Sequence, residues 1–141
     1  MKIFTEYFGE IEINEKDIIT FEKGLLGLEG LKRFSLITNE ELFIEWLQCI
    51  DEDFSIAVMN PFFAKEDYSF EIPENTIKEL ELNSHEDVAI RTVVVIPEDI
   101  TKIRTNLQSP IIINMKNKKG KQIVLEGDHP LRYEFYEKGG A

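Results

Sequence analysis

Nucleophilic catalysis needs a Ser, Thr or Cys beside a base that a third group orients. The chain has two histidines, His85 and His129, and one cysteine, Cys49. Each histidine sits beside a turn among acidic residues, in Ser84-His-Glu-Asp87 and Gly127-Asp-His-Pro130, where a surface position accounts for it without chemistry. Cys49 alternates within an apolar run and reads as a small core residue. A single cysteine excludes an internal disulfide, and no Cys/His group has the spacing of zinc ligands. Gly24-Leu-Leu-Gly27 lacks the Lys-Ser/Thr pair and following helix of a phosphate loop. Asp51-Glu52-Asp53 invites a calcium ion, yet it lacks the glycine and later glutamate of a helix-loop-helix calcium loop and reads as a solvated turn. The chain therefore reads as a non-enzyme, with no catalytic, cofactor-binding or metal-binding residue and no cofactor.

Charge is the more informative property. Net charge is −11 over 141 residues. Residues 1–100 hold 23 acidic and 8 basic side chains, whereas residues 101–141 hold 4 acidic and 8 basic. Free nucleic acid is repelled by such a body, because duplex and single-strand binding both need clustered Lys and Arg. The one dense positive run is Lys116-Asn-Lys-Lys-Gly-Lys121. Met1 to Phe8 has no signal pattern and no apolar run reaches membrane-span length, so a soluble, cytoplasmic protein is expected.

The elements that must position these residues are short. The basic run joins two apolar stretches, Ile111 to Ile113 and Ile123 to Leu125, as a hairpin with Gly120 as its positive-φ residue and Pro110 at the first strand's start. Lys2 to Phe8 and Ile11 to Ile13 form an opening hairpin, followed by a strand at Asp17 to Phe21. The Glu22 to Gly30 loop carries leucines that either cap the core or lie on a surface to be covered, the core being the favoured reading. Strands are expected at Phe34 to Ile37 (ended by Glu40-Glu41), at Phe43 to Ile50, at Phe54 to Met59 and at Tyr68 to Ile72. Pro73 to Leu82 is the one convincing helix, with an apolar stripe of Ile77 and Leu80. Val88 to Ile96 is too β-branched for a helix and reads as a strand buried on both faces. Leu131 to Tyr136 is an edge strand or a helical segment, and residues 136–141 a frayed end. This pattern predicts an all-β, mainly antiparallel, small barrel-like single domain spanning residues 1–141, with one short helix near 73–82. Trp46, Phe54, Ile56, Val58, Val93 and Val95 are expected in its core.

Several fragments, taken in order, resemble one known family. Met1-Lys-Ile, Tyr7-Phe-Gly-Glu-Ile11, Ile19-Thr-Phe21, Gly24-Leu-Leu-Gly-Leu-Glu29, Trp46-Leu-Gln48, Asn60-Pro-Phe62, Asn106-Leu-Gln-Ser-Pro-Ile111 and Gly120-Lys-Gln122 are similar to the FliW family of flagellar assembly factors. The family usually reads Gly-Ile-Pro-Gly-Phe where this chain has Gly24 to Leu28. The resemblance implies a bacterial cytoplasmic regulator that binds the RNA-binding translational repressor CsrA and, alternatively, newly made flagellin. Flagellin held in the cytoplasm captures the factor and frees the repressor; flagellin export releases the factor, which then relieves repression. Self-association is left open.

On this reading the candidate partner-binding residues are Asn60, Phe62, Phe63, Asn106, Pro110 and Gln122. Asn106 and Gln122 have a structural alternative as loop-shaping amides, which is favoured. Glu71, Glu74, Glu79, Glu81, Glu86 and Asp87 are candidate RNA-repelling acids, offset nearby only by Lys78. A different class of function is a barrel that binds single-stranded RNA directly through residues 116–121 and an exposed Phe62 or Phe63. The net charge argues against it.

Overall fold

The computed structural model describes residues 1–38 and 43–136. The expected break at Glu40-Glu41 and the expected fraying of residues 137–141 lie outside the described residues. Seven strands close into a barrel: β3 (Ile18–Thr20), β4 (Arg33–Ile37), β5 (Ile44–Cys49), β6 (Ser55–Met59), β7 (Val88–Val95), β9 (Ile111–Asn114) and β10 (Lys119–Gln122). Around the ring they run β7-β6-β5-β4-β3-β10-β9, and β9 returns to β7. Antiparallel neighbours cannot alternate around an odd ring, so one pair must be parallel. That pair is β3–β10, at Lys119 and Thr20. Closure removes the exposed edges that invite aggregation. A separate hairpin, β1 (Lys2–Thr5) and β2 (Gly9–Glu12), stands beside the barrel, while β8 (Arg104–Thr105) and β11 (Tyr133–Glu134) extend outward from β7.

Register decides which residues face inward, because directly opposed residues share a face. Ile19 opposes Phe34, which opposes Cys49; Leu36 opposes Leu47, which opposes Ile56; Val58 opposes Val93, and Ala89 opposes Ile113. These residues share one apolar core with Phe21 and Leu25, which is the barrel interior. The outer wall is covered too. Ile44, Met59 and Val94 pack with Ile103 and Phe135, and Ile112 packs beneath Tyr68, Leu80 and Leu107.

This double covering corrects the expected core. Val58 is fully buried, but Trp46, Ile56 and Val93 are half-buried, and Phe54 and Val95 are exposed. Phe54 precedes β6 at the barrel mouth. Trp46 stands on the outer wall with Tyr7 at 5.4 Å and Phe8 at 6.1 Å. At the end of β7 the buried residues are Thr92 and Val94, the outward pair, because Ile103 and Phe135 pack with Val94 and the Thr105 hydroxyl donates to that of Thr92. The first half of β7 is only half-buried on either face.

The helix α1 (Glu74–Glu79) is shorter than expected. Pro73 precedes it without a side-chain cap, and its buried contacts are Thr76 and Leu80, while Ile77 is exposed. Leu82 N–H reaches the Ile77 carbonyl at 2.9 Å and Glu81 N–H the Lys78 carbonyl at 3.2 Å. These bonds form a Schellman end with Glu81 in the left-handed seat at φ 56°. Tyr68 to Ile72 alternates as expected but has no strand partner among the described residues. Segments Leu25 and Leu28 pack on the barrel core, so the leucine loop does cap it, with Leu26 left exposed.

The β9–β10 hairpin exists, with Pro110 directly before β9, but its details differ. Lys118, at φ 61°, is the left-handed turn residue, and β10 begins at Lys119 rather than at Ile123. Gly120 opposes Ile113 and faces the interior, where a Cβ would come within 2.4 Å of the Phe21 ring. The glycine is there for packing. Gly120→Ala should therefore lower stability by about 1–3 kcal/mol through overpacking, read as a shifted urea midpoint. Gly120→Ala together with Phe21→Leu should recover part of that loss, whereas a glycine needed only for the turn would show no such rescue.

Candidate partner-binding surfaces

Asn60 accepts the Phe62 N–H at 3.1 Å and so caps a 3-10 turn over Pro61–Phe63. Capping fixes the direction in which the two phenylalanines leave the wall. Phe63 is 63% exposed, and Phe62 lies 5.8 Å from the Tyr68 ring. Tyr68 is the link to the hairpin side, because its buried hydroxyl donates to the Leu107 carbonyl at 2.7 Å. Burial pushes its ionisation well above the ordinary phenol value.

Asn106, Pro110 and Gln122 gather at one loop, and their contacts are structural. Asn106 Oδ1 accepts from Gln108 N–H at 3.0 Å and Ser109 N–H at 3.2 Å. Gln122 donates to the Ser109 carbonyl at 3.0 Å and accepts the Leu26 N–H at 2.9 Å. Pro110 is buried. One glutamine thus ties the leucine loop to the loop that feeds β9.

The expected acidic surface divides in two. Glu79 accepts from Lys121 at 3.1 Å and from Lys23 at 3.4 Å, and Glu81 accepts from Lys119 at 2.8 Å. Lys78 is therefore not the only nearby offset: the basic run itself engages these acids across the chain. Asn114 adds to this clasp by donating to the Leu80 carbonyl at 2.8 Å while its Oδ1 accepts Lys116 N–H at 2.9 Å. The hydrogen bond from Lys121 holds Glu79 below the ordinary carboxylate value, and that from Lys119 does the same for Glu81; Lys119 is raised in turn. Glu71, Glu74, Glu86 and Asp87 make no ion pair with any described residue.

Those remaining acids lie around a cleft that sequence reasoning missed. Its volume is about 590 Å³, and its walls are residues 68–72, Phe62, Ile77, His85, Val88 and Ile90. A hollow of about 180 Å³ continues it past Leu82 and shares Ile72, Ile77, His85 and Val88. A further hollow of about 660 Å³ between β2 and β4 holds none of the candidate residues. The signal for the cleft was present in the adjacent Phe62-Phe63, which cannot both be buried on one face.

The candidates for chemistry stay apart. Cys49 is buried in the barrel interior, His85 is exposed on the cleft wall, and His129 sets its ring against Tyr68 at 5.9 Å. Asp51 pairs with Arg33, and Asp53 accepts the Glu6 N–H, so the acidic turn has structural work. Among the described residues no group of His, Cys, Asp and Glu is arranged to hold a metal ion.

Comparisons with known proteins agree over most of the chain. The FliW protein family model matches residues 2–135. A flagellar assembly factor FliW from Caldicellulosiruptor saccharolyticus is 42% identical, over 92% of this chain and 87% of its own length. One from Thermoanaerobacter pseudethanolicus is 43% identical, over 96% of this chain and 95% of its own. A crystal structure of the flagellar assembly factor FliW superposes with a TM-score of 0.90 at 31% identity, covering 96% of each chain.

The clasp carries a pH signature. Carboxylates held below their ordinary value, near 4.5, contribute stability that is complete above that value and lost as pH falls through the lowered one. Urea midpoints of wild type and of a Glu79→Gln, Glu81→Gln variant should differ at neutral pH and converge once the pH has fallen below the lowered carboxylate values. A difference that persists unchanged in acid would show that these charges do not hold the clasp.

Proposed function

The chain belongs to the FliW family, and on that premise we propose that it serves flagellar assembly as a protein-binding regulator, with CsrA and flagellin as alternative partners. In this reading the factor binds the translational repressor when free and gives it up to cytoplasmic flagellin. The coupling is mutual exclusion: one partner's occupancy lowers the other's apparent affinity by the same factor. No helix among the described residues is long and apolar enough to cross a membrane, and the proposal has the protein meet both partners in the cytoplasm.

The observation that carries this reading over direct RNA binding is the clasp. A single-strand binder needs a basic track beside stacking aromatics. Here Lys119 and Lys121 of the basic run are engaged by Glu81 and Glu79, and the unpaired charges beside Phe62 are acidic. A phosphate chain would have to displace two carboxylates and then lie against a like-charged surface. An apolar cleft with exposed aromatics is a surface for polypeptide instead.

The test uses three purified probes: CsrA, flagellin and a single-stranded RNA. Calorimetric titration should give saturable binding to each protein, with flagellin displacing CsrA, and filter binding should retain no RNA at physiological salt. Salt-dependent RNA retention with neither protein bound would overturn the proposal in favour of direct RNA recognition.

A further inference from the structure

The cleft differs from an ordinary surface hollow in the state of its backbone. In the ladder between β7 and β9, Met115 N–H donates to the Asp87 carbonyl at 2.7 Å. Paired groups recur every second residue in an antiparallel ladder, so with Ala89 opposite Ile113 and Arg91 opposite Ile111 it is residues 87, 89 and 91 that bond to β9. The other flank agrees. Ile123 N–H donates to the Pro110 carbonyl at 3.0 Å, which points Ile112 and Asn114 at β10 and leaves Ile111 and Ile113 for β7. The backbone of Val88 and Ile90 therefore faces away from β9, toward the side that β6 vacates. β6 pairs only with Thr92 and Val93, because Pro61 turns the chain off the wall immediately after Met59 and Asn60.

Some of these groups find local partners. Val88 N–H donates to the His85 carbonyl, and the Ile90 carbonyl accepts from the Arg91 guanidinium at 2.9 Å. For Ile90 N–H and the Val88 carbonyl no partner is found among the described residues. The same holds for the whole backbone of Ser69 to Ile72, which belongs to no helix or strand and alternates between exposed Ser69 and Glu71 and half-buried Phe70 and Ile72, as the successive faces of an extended chain would. Extended, half-buried backbone with its donors and acceptors open to water is the template on which a further strand assembles.

Charge says what kind of strand. Glu71 lines the cleft, Glu86 and Asp87 lie between His85 and Val88 of the opposite wall, and Glu74 is one turn before Ile77 on α1. None is ion-paired with a described residue, whereas Glu79 and Glu81 on the same excursion are. The floor is apolar, and the rim carries more acid than base, with Lys78 the one lysine on α1 and His85 on the wall.

We propose that this cleft binds an extended segment of a partner polypeptide in which apolar residues alternate with Lys or Arg, its backbone pairing with the open backbone of Ser69 to Ile72. The apolar side chains enter between Phe70, Ile72, Ile77 and Ile90, and the basic ones reach the acids of the rim. An alternating sequence fits because successive residues of a strand face opposite ways. The proposal rests on the reading of the chain as a protein-binding factor and gives that reading a site. Here the rim acids attract the partner, so neutralising them weakens capture itself.

The probe is a short capped peptide in which Lys alternates with Val, titrated into uniformly 15N-labelled protein and followed by amide chemical shifts and hydrogen exchange. Two control peptides have Glu in place of Lys, or the same residues reordered to give an amphipathic helix. The amides of residues 69–72 should shift and gain protection with the alternating basic peptide. The Glu peptide should leave them unmoved, and the helical isomer should bind more weakly. The double variant Glu71→Lys, Glu86→Lys changes only exposed side chains and should weaken binding about tenfold at low salt. Shifts mapping elsewhere, equal binding of the Glu peptide, tighter binding of the helical isomer or an unaffected double variant would each overturn the proposal. The peptide measurement needs neither CsrA nor flagellin, so it decides the cleft whatever those partners do.

Discussion

The structure depends on the closing of the ring at β7. That strand is eight residues long and divides its hydrogen bonds: its first half bonds to β9 on one side, its second half to β6 on the other. Without the β7–β9 pairing the sheet would be an open, twisted sheet with β9 as an exposed edge. Closure creates an interior into which Phe21, Phe34 and Leu47 pack, and it requires a glycine at position 120 for the Phe21 ring to fit. It also forces the long connection from β6 to β7 to travel over the outside of the wall. That excursion carries Tyr68, α1 and Leu80, and it must bury their apolar faces against Ile112. The second core layer is thus a consequence of how the first is closed.

The same excursion explains the charge distribution. α1 arrives beside the β9–β10 turn, and the two bring opposite charges. Glu79 and Glu81 meet Lys121 and Lys119, with Asn114 and Asn117 satisfying the last carbonyls of the helix. Exposed ion pairs contribute little each; the backbone bonds of the helix end seat Glu81 in its left-handed conformation, and Lys119 meets the side chain that this seat presents. What reads along the chain as an acidic body with a basic hairpin is, in space, a neutralised clasp beside an acid-rimmed cleft. Folding therefore moves the attractive surface from the lysines to the cleft.

Much of this was legible in the residues. The barrel-like, mainly antiparallel class followed from short β-branched runs with turns between them, and Pro110 marked the start of β9 because it cannot donate to a ladder. Capping by Leu25 followed from the improbability of leucines on a polar loop. Other features need the third dimension. Alternation gives the two faces of a strand but not which is covered, and in this barrel both are, so Trp46 could be placed outside by Tyr7 and Phe8 while Leu47 and Cys49 filled the interior. Tyr68 to Ile72 has the alternation of a strand but no partner, since a pattern of faces says nothing about hydrogen bonds. Gly120 was assigned to a turn because glycine's freedom is visible in sequence and a ring 99 positions away is not. The pairs Glu79–Lys121 and Glu81–Lys119 join residues 42 and 38 apart, beyond any local rule. Among the candidate site residues, Phe62 lines the cleft and Asn60 caps the turn that carries it, whereas Asn106 and Gln122 shape loops.

β7 closes the barrel through alternate backbone groups and leaves the intervening ones open beside the cleft. Native-state hydrogen exchange of the free protein, read residue by residue, tests it most directly. Strong protection is expected for the amides of Ala89 and Arg91, with fast exchange at Ile90 between them and along Ser69 to Ile72. Uniform protection from Ala89 through Arg91 would contradict it, because Ile90 would then have a backbone partner and the cleft no open edge.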